Sequence, residues 1–195
     1  PLAADGGQAA GEGLQRPASA GRQAAGGHQV VQVLHLPGEL DWYDGFVGIV
    51  LHPSEVVVPR QWHDEDGVVH NGEEVLAGEA VEGGPLMLSW QDVRLGGRDG
   101  QLETDQDLAY NVVIHEFAHK LDMLNGDADG IPPLPEGVSR RRWERTLTDA
   151  YEDFCLQVDD AEARGEDDTA FDPYAAETPG EFFAVMSEIF FEDPR

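Results

Sequence analysis

Apolar residues first recur in short β-branched runs and only later at helical spacing. From Val30 onward, VVQVLHL, FVGIVLH (46–52) and EVVVP (55–59) are separated by Pro and Gly. The segments 68–81 and 86–90 continue the habit, with Gly83, Gly84 and Pro85 marking the turn between them. Such runs predict short strands. The period then changes. Thr104, Asp105 and Asp107 offer a cap and first-turn acids for a helix through LAYNVVIHEFAHKLDML that stops at Asn125-Gly126. Ser139 opens a second helix, whose apolar residues Trp143, Leu147, Ala150, Tyr151, Phe154 and Val158 fall at three- and four-residue steps before Gly165. Thr178-Pro179-Gly180-Glu181 starts a last helix, through FFAVMSEIFF, as a capping box with proline in the first turn. Strands first and helices afterwards predict an α+β fold.

The length of 195 residues suits one core. Residues 1–29 are rich in Gly, Ala and Gln and nearly free of large apolar residues, which predicts a low-complexity, disordered arm ahead of a domain at 30–195. Twelve Lys and Arg against 39 Asp and Glu give a net charge of −27, with no basic stripe, so a nucleic-acid partner is disfavoured. Cys155 is the only cysteine, which excludes an intrachain disulfide and any thiolate zinc framework. No window reaches eighteen consecutive apolar residues and no secretory leader is visible, so the expected protein is cytoplasmic, without a membrane partner.

His115-Glu116-Phe117-Ala118-His119 is an H-E-x-x-H pattern on the first predicted helix. A four-residue step returns to nearly the same face, so both imidazoles converge on one ion while Glu116 turns toward its water. With 7 His and 19 Glu in the chain, chance alone yields the pattern in roughly a few per cent of shuffled sequences. The neighbours Val112, Val113, Ile114, Phe117 and Leu121 predict a buried helix, where unpartnered imidazoles and a carboxylate would be costly. A catalytic zinc takes three protein ligands and keeps one position open. Asp122 would have to reach back awkwardly along its own helix and suits a supporting role instead. Glu177, Glu181 and Glu188 remain as candidates, and Glu181 is equally explained as the capping-box residue.

VVIHEFAHKLDMLNGDADGIP, preceded by DWYDGF (41–46) and GVVHNGE (67–73) and followed by DPYAAETPGEFFAVMSEIFF, resembles the zinc peptidase family of Mlc titration factor A across about residues 40–193. The resemblance implies a zincin-like metallopeptidase domain whose catalytic part is similar to that of anthrax lethal factor. A small mixed sheet would pack on the H-E-x-x-H helix, followed by further C-terminal helices. It implies one Zn²⁺ on His115, His119 and Glu181, with Glu116 as general base and Tyr174 as a phenol stabilising the transition state. It implies aminopeptidase-type activity on peptides, a cytoplasmic location, and a transcriptional repressor of Mlc type as a possible partner. Family members also carry a helical segment ahead of the strands and helices beyond the position of Arg195, neither of which is read in this sequence.

Glu188 is the candidate for orienting a histidine. The strand at 86–90 is a candidate for pairing with an extended peptide at the cleft edge, with core sheet as the alternative. Cys155 is expected in the core. The alternative function is a regulatory protein that sequesters a repressor and keeps its metal helix for structure, in which case a fourth protein ligand such as His70 or Asp122 is expected.

Overall fold

The computed structural model describes residue 42 and residues 45–63, 67–96, 110–166 and 169–192. The expectations for the arm at 1–29, for VVQVLHL, and for the cap at Thr104, Asp105 and Asp107 lie outside those residues. The β-branched runs form β1 (Ile49–His52), β2 (Val56–His63), β3 (Val69–Leu76), β4 (Gly78–Ala80) and β5 (Leu86–Ser89). One sheet has the order β1-β5-β4, with β1 parallel and β4 antiparallel to β5; β2 and β3 make a separate antiparallel hairpin. Of the two readings of residues 86–90, the core-sheet one holds: β5 is central with both its edges taken, and among the described residues β4 is the edge strand next to the metal helix. Trp90 is not strand either. It opens a short helix, α1 (Trp90–Leu95), because the Ser89 side chain accepts the Asp92 N–H.

The metal-motif helix, α2 (Val112–Asp122), begins at Val112 because the Asn111 side chain accepts the N–H groups of Val113 and Ile114, both at 3.2 Å. Tyr110 is not helical. A 3₁₀ turn at Met123–Asn125 carries the chain to Gly126. Helix α3 (Arg140–Arg164) is capped by Ser139 and ended by Gly165 in the left-handed conformation, as its punctuation predicts. A 3₁₀ turn at Pro173–Ala176, capped by Asp172, leads to α4 (Pro179–Glu192).

The fold is α+β, and the site sits where two apolar clusters meet. Leu86 and Leu88 of β5 and Val93 of α1 pack against Val112, Val113, Ile114 and Phe117 of α2. Phe154 and Val158 of α3 pack against Ala175, Phe182 and Val185. Full burial of each such large side chain is worth roughly 1.5–3 kcal/mol, so α2 is held by the sheet from one side and α4 is held by α3. Ala150 is exposed and lies off the packing face of α3, whereas Cys155 is half-buried with its thiol toward the Ala176 carbonyl. Lys120 adds a polar tie, donating to the carbonyls of Val81 and Gly84 at 2.5 and 2.8 Å. Among the described residues, no helix is long and apolar enough to cross a membrane.

Candidate metal centre

On α2 the four-residue step places both imidazoles on one side, with the Nε2 atoms of His115 and His119 3.2 Å apart. Glu181, in the first turn of α4, brings Oε2 to 3.0 Å from His115 Nε2 and 3.2 Å from His119 Nε2. Its position comes from the helix start: Thr178 Oγ1 accepts the Glu181 N–H at 3.1 Å. Half of the capping box therefore forms, while the glutamate side chain, free of a capping duty, turns to the histidines.

These three atoms fit a single dication. A tetrahedral zinc with bonds of about 2.1 Å sets its ligand atoms roughly 3.4 Å apart, close to the spacings here. The donor chemistry agrees. Glu188 Oε1 lies 2.7 Å from His115 Nδ1, and its Oε2 accepts the Asn111 N–H at 2.5 Å. A neutral His115 donating to Glu188 keeps its lone pair on Nε2, so that lone pair and the Glu181 carboxylate face each other across 3.0 Å. Two acceptors at that distance need a proton or a metal ion between them. Burial opposes charge on His115, yet its bonds to Glu181 and Glu188 push it up to about 10. Burial likewise opposes charge on Glu181, and bonds with both histidines pull it down to about 2. The cluster attracts positive charge strongly.

Glu116 is turned away from this trio toward the sheet. It is only 6 % exposed, and burial pushes it up to about 7, against the pull of the two histidines and a bond from the Ala80 N–H. Tyr174 stands on the other side, 41 % exposed, its ring centroid 6.1 Å from that of His115. Burial of its hydroxyl, then the Glu181 charge, holds the phenol well above its usual range, so it stays a donor. Between them runs a cavity of about 200 Å³ lined by β3 and β4 residues from Glu74 to Gly78, and by His115, Glu116, Tyr174 and Val185.

The other sequence candidates fall elsewhere. Glu188, the candidate for orienting a histidine, lies against His115 Nδ1. Asp122 is fully buried but bonds the Gly130 N–H rather than the histidine–glutamate trio. Glu177 caps a 3₁₀ turn, and His70 pairs across the hairpin with Trp62; neither belongs to the trio. Asn111 and Gly78 were not singled out from sequence. The first had a readable signal, an Asn immediately before an apolar helix run. The second had none, because its role is to let Glu116 approach β4.

Two histidines one helical turn apart, a glutamate from a later helix and a buried carboxylate at a cleft make up the donor set of a mononuclear metallohydrolase. Residues 24–195 match the family described as glucose-regulated metallo-peptidase M90, and the chain belongs to that family. It is similar to proteins named Mlc titration factor A. That of Serratia proteamaculans is 45 % identical over 155 residues, 78 % of this chain and 54 % of the relative. That of Edwardsiella ictaluri is 42 % identical over 157 residues, 80 % and 56 % of the two chains. That of Escherichia fergusonii is 40 % identical over 159 residues, 80 % and 55 %. The chain thus spans about half the length of the curated relatives it matches.

Proposed function

We propose that residues 30–195 form the catalytic domain of a zinc-dependent peptidase of aminopeptidase type, acting on peptides in the cytoplasm. The observation that carries this is the convergence of His115, His119 and Glu181 within 3.2 Å beside buried Glu116, at a cleft. Zn²⁺ held by the three would supply Lewis acidity, making water more acidic and polarising the scissile carbonyl. Glu116 accepts the proton of the attacking water and passes it to the leaving amine. Tyr174 donates a hydrogen bond to the oxygen on which charge develops. Glu188 holds His115 through Nδ1, so that the ring presents Nε2. The aminopeptidase type follows the family resemblance, and a single cysteine suits a reducing compartment.

Metal analysis of the purified protein, joined to a fluorogenic aminoacyl substrate with and without chelator, tests the reading. About one zinc per chain and chelator-sensitive release of the fluorophore are expected. Glu116→Gln should keep the metal and lose most turnover; full activity in that variant overturns the assignment of the base.

The relatives' printed name favours a second reading, in which the chain sequesters a repressor of Mlc type. The two roles separate in Glu116→Gln, which should still titrate purified repressor off its operator if capture does not use the chemistry.

A further inference from the structure

Buried Asp122 has no part in the mechanism. Asp122 is 0 % exposed and lies three residues beyond His119, one helical turn along α2. Its Oδ2 accepts the Gly130 N–H at 2.6 Å. Its Oδ1 is buried without a hydrogen-bond partner among the described residues, and so is His119 Nδ1. An orphaned acceptor and an orphaned donor on one helix face are each costly alone, and one water between them satisfies both. His115 shows the corresponding arrangement already made, with Nδ1 on Glu188.

The loop on the other oxygen leads to the third ligand. Gly130 has φ +80°, and a Cβ there would lie 2.8 Å from the Pro179 carbonyl oxygen. A Cβ on Gly180 would lie 2.6 Å from the Ala128 carbonyl oxygen. The loop backbone and the start of α4 therefore touch with no side chain between them, one residue before Glu181. Trp143 Nε1 donates to the Gly130 carbonyl at 2.9 Å and braces the loop from α3.

We infer that Asp122 is a positioning residue for the metal centre: Oδ1 holds the Nδ1 proton of His119 so that Nε2 stays free, and Oδ2 seats the loop that sets Glu181. This rests on the metallopeptidase reading above. Asp122→Asn separates the two duties. The Gly130 N–H requires an acceptor, so the amide oxygen faces the loop and the amide NH₂ faces His119, where it favours the tautomer that cannot ligate through Nε2. In chelator competition the variant should bind zinc about 10–100-fold more weakly, with the melting temperature of the metal-free protein near that of the parent. Gly180→Ala should also weaken zinc binding, and cobalt substituted into it should show an altered visible spectrum, because Glu181 is displaced. In the zinc-loaded parent, labelled with ¹⁵N-histidine, the His119 Nδ1 proton should resonate downfield and exchange slowly. Parental zinc affinity in Asp122→Asn, or rapid solvent exchange of that proton in the parent, overturns the inference. A parent that binds no zinc overturns the metallopeptidase reading and this inference with it.

Discussion

Gly78 of β4 leaves no room for a side chain beside Glu116: a Cβ at that position would lie 2.5 Å from the carboxylate oxygen Oε1 and 2.6 Å from Cγ. The strand edge and the Glu116 carboxylate are fitted to each other, since the adjoining backbone also supplies the Ala80 N–H to the same carboxylate. Gly78→Ala must therefore shift Glu116 or open the sheet from α2. The expected result is a fall in kcat of roughly 10–100-fold, the order of cost for misplacing a catalytic group by about 1 Å. Zinc content should be unchanged, because neither histidine nor Glu181 is touched. Steady-state kinetics with metal analysis on the same preparation checks it, and unchanged kcat would contradict it.

Glu188 bridges His115 Nδ1 and the Asn111 N–H from a buried position. In Glu188→Gln only one oxygen remains to accept, and the amide NH₂ confronts one of two donors. Zinc affinity should fall by about 10–100-fold, less than the loss in Glu181→Ala, which removes a ligand outright. Chelator competition gives the order, and the reverse order would exchange the roles of the two glutamates.

Tyr174 reaches the site from a 3₁₀ turn rather than a long helix, so its loss should be local. Tyr174→Phe should lower kcat by about 10²-fold while changing KM little, the pattern of a donor that acts in the transition state. Its hydroxyl is pushed above the usual tyrosine value, chiefly by burial. The phenol therefore remains protonated through pH 10, and no loss of rate at or below that pH should trace to it. A parental alkaline limb centred near pH 10 that disappears in Tyr174→Phe would contradict this.

Metal removal should lower stability as well as activity, because the three ligand atoms meet only in the folded chain. At free zinc one hundred times the dissociation constant, linkage predicts about 2.7 kcal/mol. For a chain of this size that corresponds to a melting temperature lower by roughly 5–11 °C after chelation. Calorimetry with and without chelator measures it; equal melting temperatures would mean that zinc is not held by the folded site.

How much of this was legible depended on distance along the chain. His115 and His119 could be paired from sequence because helical period alone brings them together, and the apolar residues around them announced a buried helix. That helix starts at Val112, later than the run LAYNVV suggests, since Asn111 acts through a side chain that could as well have belonged to a loop. The short helix at Trp90 was missed because LMLSW continues a strand-like run, and only the Ser89 side chain on the Asp92 N–H turns it. The central place of β5 was invisible, because strand order is decided by pairing across the sheet and not by composition.

What the chain order carried by itself was the local part: a metal-binding face on one helix, a capped start for the last helix, and an acidic, cysteine-poor composition that narrows the ligands to His, Asp and Glu. Local spacing could not rank Glu181 against Glu188, since the two share a helix and a chemistry; a family resemblance favoured Glu181. Tertiary packing places Glu181 against the Nε2 atoms of both histidines and Glu188 at the back of His115. The burial of Phe182 and Val185 against α3, and the close approach of Gly180 to Ala128, fix the rotation and height of α4. Which of two equivalent carboxylates meets the two histidines is thus set by how a helix is seated, a property of contacts between segments more than sixty residues apart in sequence.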